Sequence, residues 1–368
     1  MKQNRPYRII LSGGGTGGHI FPAIAIANGI RERMPEAEIL FVGARGKMEM
    51  EKVPRAGYPI TGLPITAFHR SLTWKNLLFP FRLLVSLLMA GRIIRRFRPD
   101  LVIGTGGFAS GPVLRVATRR GIPTLLQEQN SFPGVTNRIL AEKVNRICVA
   151  YEGMERYFPS VKIVLTGNPV RQGLIAPGLS RTDSFGYFGF DPAIPAVLVF
   201  GGSQGARTLN LTIAAHLKEI AASGVQMIWQ TGVTFHETAK SLLEKESASG
   251  IRVFDFINEM DKAYSVADLV VCRSGAITLS ELAIVGKPAI LVPFPAAAAD
   301  HQTKNARAFA EAGAAILVAD KNAREQLVGR MLDLVGNRKQ LEEMGARMSS
   351  QGKLDSTRTI IDEAFKLC

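Results

Sequence analysis

One sequence pattern occurs twice in this chain: an apolar run, a glycine-rich loop, then a helix-like stretch. It reads RIILSGGGTGGH at residues 8–19 and AVLVFGGSQGAR at residues 196–207. A short, continuous apolar run that ends in glycines reads as a strand buried on both faces, as in a parallel sheet. After the first start, Arg8–Leu11 is followed by a helix from about Pro22 to Arg33. Strands follow at Glu38–Val42, Leu101–Ile103, Thr124–Gln127, Arg146–Val149 and Lys162–Leu165. After the second, Ala196–Phe200 is followed by a helix at about Leu209–Ala222. Strands then recur at Val225–Gln230, Ile251–Phe254, Leu269–Cys272 and Ala289–Val292. Strands alternating with helices mean βαβ units. About twelve strands exceed what one open, doubly wound sheet ordinarily carries. The chain therefore reads as α/β, with two Rossmann-like doubly wound domains facing across a cleft, residues 1–168 and 169–354. The join falls at Gly167-Asn168-Pro169, where Pro169 disfavours helix in the residue before it. Gly173–Pro195, rich in Gly, Pro, Ser and Asp, reads as connector.

Composition narrows the class. Hydrophobic residues make up 46% and charged residues 21% of 368, which excludes disordered and fibrous chains. The formal charge of +14 calls for an anionic partner: nucleic acid, a phosphorylated ligand or an anionic membrane surface. Cys148, Cys272 and Cys368 form no C-x-x-C pair and no zinc spacing, which reads as a reducing compartment. The N-terminal apolar run is too short for a signal peptide. Leu77–Ile94 is the most apolar long stretch, but Pro80, Arg82 and Arg92 interrupt it, so it does not read as a spanning helix.

Four segments follow predicted strands and open helices. Gly13-Gly14-Gly15-Thr16-Gly17-Gly18-His19 carries five glycines and formally satisfies G-x-G-x-x-G. Such a loop favours an anion or a closely approaching ligand, because backbone N–H groups point outward where side chains are missing. A dinucleotide fold would also place an acid at the end of the second strand. Here that strand ends Val42-Gly43-Ala44-Arg45, which disfavours NAD and leaves NADP through Arg45 only weakly open. The others are Gly104–Gly111, Gly201–Ala206 and Arg273–Glu281. Any one of them is satisfied by a tight strand–helix turn. Four at the carboxyl ends of strands in two domains point to one shared ligand site.

GGGTGGHIFP, GGFASGP, EQNSFPGVTNR, TGNPVR, GGSQGA and CRSGAITLSELA, in this order, closely resemble the MurG family of N-acetylglucosaminyltransferases, glycosyltransferase family 28. The resemblance spans nearly the whole chain and implies the GT-B fold. It implies inverting transfer of GlcNAc from UDP-GlcNAc to the C4 hydroxyl of the MurNAc unit of lipid I. The product is lipid II, made for peptidoglycan by a peripheral enzyme at the cytoplasmic face of the cell membrane. The first domain would bind the lipid-linked acceptor and the membrane, and the second UDP-GlcNAc. A terminal helix, about Thr357–Leu367, would pack back on the first domain, so that 355–368 belongs with it. On the matching positions, Thr16, Gly17 and Gly18 stand in the first donor loop, and His19 is a catalytic candidate. Asn130 stands at a donor contact, Arg171 at the substrate-binding Arg of GNPVR, Ser203 at the phosphate-binding serine, and Ile257 where the backbone reads uracil. Gly275, Ala276, Ile277, Thr278, Leu279 and Ser280 lie under the ribose, phosphates and acetamido group. Glu281 takes the ribose hydroxyls and Gln302 reads the sugar. Phe108 stands where some relatives carry Tyr, so no catalytic hydroxyl is expected there.

The chemistry implied needs a base for the acceptor hydroxyl and a sink for the leaving diphosphate. No Asp-x-Asp occurs in the chain, so no metal and no cofactor is implied; the Ser203 and 274–281 loops would supply fixed donors. His19 or Glu128 would be the base, the other reading of His19 being a loop residue that caps a helix. Glu281 falls in the first turn of a predicted helix, where the plain alternative is dipole complementarity on a solvated face. Between Thr66 and Leu125 stand ten basic residues (Arg70, Lys75, Arg82, Arg92, Arg95, Arg96, Arg98, Arg115, Arg119, Arg120) and one acid, Asp100. Leu77, Phe81, Leu84 and Leu88 recur at helical spacing after Trp74, while Phe79, Leu83, Leu87 and Met89 make that helix apolar nearly all round. This suits core burial on one edge and an anionic membrane surface on another. No nucleic-acid motif accompanies the charge. Two rivals remain: a UDP-GlcNAc 2-epimerase-like enzyme of the same fold, and a non-catalytic nucleotide-binding module.

Overall fold

The computed structural model describes residues 5–66, 78–170, 173–174, 180–202, 204–246, 248–297 and 300–368. Arg70, Trp74, Lys75, Leu77, Arg171 and Ser203 lie outside the described residues. The chain divides into two compact units, Met1–Arg171 with Asp355–Cys368, and Gln172–Leu354. Each is a parallel sheet covered by helices, and together they make a GT-B architecture.

The first unit holds β1 (Arg8–Gly13), β2 (Glu38–Ala44), β3 (Ile60–Leu63), β4 (Leu101–Gly106), β5 (Thr124–Glu128), β6 (Arg146–Val149) and β7 (Ile163–Leu165). Their order is β3-β2-β1-β4-β5-β6-β7. The second unit holds β8 (Ala196–Phe200), β9 (Gln226–Gln230), β10 (Ile251–Phe254), β11 (Leu269–Cys272), β12 (Ala289–Leu291) and β13 (Ala315–Leu317). Its order, β10-β9-β8-β11-β12-β13, repeats the same winding. The two glycine-ended runs thus become β1 and β8, the strands at which strand order reverses. Ligands of open α/β sheets bind at that switch point, outside the carboxyl ends of the strands.

Both faces of the first sheet are buried. Ile9 and Leu11 pack under the helix Gly17–Arg33, and Ile10 enters the core on the other face. The helix Ser356–Phe365 joins the same unit by placing Ile360, Ile361 and Ala364 among Ile9, Leu11, Ile26 and Ile30. Gly29 makes the close approach possible: a Cβ there would lie 2.7 Å from Ile361 Cδ1. Arg146 and Glu363 pair at 3.2 Å across the contact.

Several elements differ from the sequence reading. β3 and β13 are extra edge strands, of four and three residues, too short to carry a periodic signal. The first helix begins at Gly17 rather than Pro22, because the glycines of the loop continue into its first turn. The stretch 209–222 is two helices, Arg207–Ala215 and Leu217–Ala222, broken at His216. The segment 173–195 is not all connector: Arg181–Phe188 is a helix. The Ser180 side chain accepts from the Asp183 N–H, Gly189 (φ 63°) ends the helix, and Phe185 and Phe188 are buried.

Candidate active site

In the first unit, the loops after β1 and β4 lie backbone to backbone. A Cβ on Gly107 would sit 2.1 Å from the Gly14 carbonyl oxygen, and Gly15 has φ +89°. Gly107 and Gly15 are therefore required by close approach and backbone conformation, whatever binds, whereas a Cβ on Gly18 would meet only Thr16 Oγ1, at 3.7 Å. Thr16 is the exposed N-cap of the helix Gly17–Arg33, and its carbonyl accepts the His19 N–H at 3.1 Å. Gly17 and Gly18 form the first turn. The Gly15 N–H, however, is already engaged. Glu49, fully buried, accepts it at 3.2 and 3.3 Å and accepts the Ala44 N–H at 3.0 Å. A phosphate at Gly15 would meet that carboxylate, so this part of the loop suits a neutral, closely approaching group. Nothing in the sequence around Glu49 signalled this contact.

His19 is half-buried and held at both ends. Thr105 Oγ1 donates to the His19 carbonyl at 2.7 Å. Its ring Nδ1 lies 3.0 Å from the Thr105 carbonyl oxygen and 2.9 Å from Gln129 Oε1. Glu128, at the end of β5, is buried, and both its oxygens are engaged. Oε1 accepts the Asn130 N–H at 3.0 Å and Asn130 Nδ2 at 3.2 Å. Oε2 accepts the Gly134 N–H at 3.1 Å and Asn137 Nδ2 at 2.8 Å. The carboxylate thereby shapes the segment from Asn130 to Asn137. Phe108 packs on the first loop, 2.6 Å from where a Gly15 Cβ would be.

In the second unit, the loop after β8 packs on the turn after β9: a Cβ on Gly205 would lie 2.0 Å from the Thr231 carbonyl oxygen. Gln230, at the end of β9, ties two loops together. Its Nε2 donates to the Gly202 carbonyl at 2.9 Å, and its Oε1 accepts the Ile257 N–H at 2.9 Å. Ile257 is buried, and that bond engages its N–H. After β11 the helix Ala276–Val285 starts, with Gly275 as N-cap. Ala276, Ile277 and Thr278 form its first turn. Leu279 is buried with its side chain in the core, and the Ser280 hydroxyl donates back to the Ala276 carbonyl at 3.0 Å.

Glu281 is therefore in the second turn, not the first, because the helix begins at Ala276. It is only 3% exposed, so a solvated face does not explain it. Its Oε2 accepts the Tyr264 hydroxyl at 3.1 Å. Gln302 follows on the helix His301–Glu311. Its Oε1 accepts the Phe294 N–H at 2.9 Å and its carbonyl the Ser274 hydroxyl at 2.9 Å. That orients Nε2 as a donor. Arg273 braces the end of β11 by donating to the Val292 and Pro293 carbonyls at 3.0 and 2.9 Å and pairing with Asp320.

Away from these loops, the helix Phe79–Phe97 buries Ser86, Ala90 and Ile94 and leaves Phe81, Leu84 and Leu88 67%, 55% and 57% exposed. Arg92, Arg95, Arg96 and Arg98 are also exposed or nearly so at its far end. No helix among the described residues is long and apolar enough to cross a membrane.

Residues 9–149 match the glycosyltransferase family 28 N-terminal domain, and residues 196–360 its C-terminal domain. The chain is 48% identical to a Cytophaga hutchinsonii protein over 367 residues, all of this chain and 98% of the other. It is 50% identical to one from Porphyromonas gingivalis, covering 100% and 97%. Both are called UDP-N-acetylglucosamine--N-acetylmuramyl-(pentapeptide) pyrophosphoryl-undecaprenol N-acetylglucosamine transferase. The crystal structure of Acinetobacter baumannii MurG superposes with a TM-score of 0.78 at 29% identity, over 98% of this chain and 100% of that one. A UDP-GlcNAc 2-epimerase from Neisseria meningitidis, bound to UDP-GlcNAc, shares the fold at 14% identity, with a TM-score of 0.67 over 98% and 100% of the two chains.

Proposed function

Because the chain belongs to glycosyltransferase family 28, we propose that it moves GlcNAc from UDP-GlcNAc to the C4 hydroxyl of the MurNAc unit of lipid I, yielding lipid II for peptidoglycan. The observation that carries this reading is near-half identity, end to end, with transferases of that name. In the step, the acceptor oxygen forms a bond to the sugar C1 as the bond from C1 to the diphosphate oxygen breaks. UDP leaves with the electron pair, and the anomeric configuration inverts. The hydroxyl proton passes to a base.

We assign that base to His19. Glu128, with each oxygen accepting two N–H bonds, acts by holding Asn130 and Asn137 in place. The second unit takes the donor. Glu281 accepts the ribose hydroxyls, the Ile257 carbonyl accepts the uracil N3–H, and Gln302 Nε2 donates to the sugar. Thr278, Ser280 and the backbone from Gly275 to Leu279 line the phosphates and acetamido group, with Ser203 and Arg171 as further donor contacts. Thr16, Gly17 and Gly18 present hydroxyl and N–H groups from a helix N-terminus. Since Glu49 engages Gly15, they suit the reacting sugar better than a phosphate. Fixed N–H dipoles at the start of the helix Ala276–Val285 stabilise the leaving diphosphate.

The stripe of Phe81, Leu84 and Leu88 beside the Arg92–Arg98 cluster suits docking at the cytoplasmic face of the cell membrane, where the polyprenyl acceptor resides. Apolar side chains insert and basic residues add ~1 kcal/mol each at an anionic surface. A product assay with UDP-GlcNAc and a short-chain lipid I analogue tests the function, with a β-linked disaccharide expected. Conversion of UDP-GlcNAc to its C2 epimer without acceptor would support the epimerase reading instead.

A further inference from the structure

We propose that Gln129 is a positioning residue that fixes the tautomer of His19, placing the ring proton on Nδ1 and the lone pair on Nε2. This rests on the reading of His19 as the base. The direction of the hydrogen bonds follows from backbone groups that can only accept. Gln129 Nε2 lies 2.7 Å from the Thr105 carbonyl oxygen and 3.2 Å from the Gln127 carbonyl oxygen. The nitrogen end of the amide must face them, so Oε1 is the end turned to His19. Nδ1 then faces two acceptors, Gln129 Oε1 and the Thr105 carbonyl, and must carry hydrogen. Nε2 becomes the proton acceptor by elimination.

The amide is itself locked. Its Nε2 also donates to Gln127 Oε1. Gln127 Nε2 donates to Asn168 Oδ1 at 3.0 Å, and Asn168 Nδ2 donates back to the Gln129 carbonyl at 3.1 Å. All three amides are buried. Rotating any one of them would oppose donor to donor or acceptor to acceptor in a dry site, which costs far more than the same fault in water. Gln127 and Gln129 are alternate residues, so they share one side of the chain while Glu128 between them serves the other. One three-residue stretch thus holds the acid-tethered loop with its middle residue and the histidine with its flanks. A neutral amide sets the tautomer without adding a charge beside the reacting hydroxyl.

The test is nitrogen NMR of histidine-labelled protein at a pH where the ring is neutral. The His19 signals are identified by their loss in His19→Asn. The parent is expected to show Nδ1 protonated and Nε2 bare. A parent with the proton on Nε2 overturns the proposal, whatever any variant does. In Gln129→Met, the expected result is a mixed tautomer and a kcat lower by ~10–100-fold. This is less than the ~10⁴-fold seen when a catalytic histidine is forced into the wrong tautomer, because the Thr105 carbonyl remains. KM for UDP-GlcNAc is expected to stay within about twofold. An unchanged tautomer and kcat in a folded Gln129→Met variant overturns the proposal as well. His19→Ala run alongside separates the two ideas: intact activity there removes the base reading and leaves the tautomer result standing.

Discussion

Replacing Glu281 by Gln isolates the charge of the carboxylate from its structural bond. Tyr264 is buried and its hydroxyl donates to Glu281 Oε2 at 3.1 Å, so an alanine would remove that buried bond and mix a folding defect into the result. A glutamine keeps an oxygen for Tyr264, removes the charge and puts a donor NH2 in place of the other oxygen, so a ribose hydroxyl there must turn to accept. A hydrogen bond to a charged group contributes ~1.5–3 kcal/mol and one between neutral groups ~0.5–1.5 kcal/mol. The difference is ~1–1.5 kcal/mol per bond, and a ribose diol makes two. The expected loss in UDP binding is therefore ~2–3 kcal/mol, or a Kd ~30–150-fold weaker. Titration calorimetry with UDP measures it, with the melting temperature checked against the parent. A UDP Kd within threefold of the parent would refute the assignment of Glu281 to the ribose.

Replacing Phe81, Leu84 and Leu88 by Gln is expected to lower sedimentation with anionic vesicles while UDP affinity is kept; equal sedimentation would return the stripe to ordinary surface. In the parent, raising salt should weaken vesicle binding, as the Debye length falls from ~10 Å at 0.1 M to ~3 Å at 1 M. Transfer activity is expected to survive EDTA; full loss restored by a divalent ion would sink the metal-free mechanism. Burial lowers the Lys287 amine from its ordinary 10.5 to about 8. Between those values the unfolded chain binds more protons, so this residue's contribution to stability rises with pH across that window. Denaturation of Lys287→Met is expected to lack that rise, and a parallel pH dependence in parent and variant would contradict it.

Much of the fold around the candidate site was legible because it rests on local chemistry. Glycine loops follow apolar runs at contiguous positions, and the doubled pattern marks β1 and β8, the strands at which each sheet's order reverses. What escaped was what only tertiary approach creates. Glu49 reaches Gly15 across 34 positions and looks in sequence like any acid opening a short helix. Gln129 sat between two residues singled out for the site, and a better signal was present: two glutamines flanking Glu128 at the end of a strand too apolar to leave them solvated. β3, at Ile60–Leu63, lies between Pro59 and Pro64 and gains its ladder only from β2. The helix Arg181–Phe188 was hidden inside the Gly-, Pro-, Ser- and Asp-rich stretch 173–195, although Ser180 and Asp183 form its cap and Gly189 its stop.

The return of Ser356–Phe365 to the first unit bears on how the molecule is made. Synthesis runs from the N-terminus, so the half that carries His19 emerges first. It lacks the residues that cover Ile9, Leu11, Ile26 and Ile30 until Ile360, Ile361 and Ala364 have left the ribosome. The second unit, inserted between, is complete before its predecessor. A nascent chain therefore carries an open apolar face for nearly the whole of its translation, a natural place for a chaperone to hold. A stop codon before Ile360 would take that cover from the unit that carries His19 and remove no residue of the other.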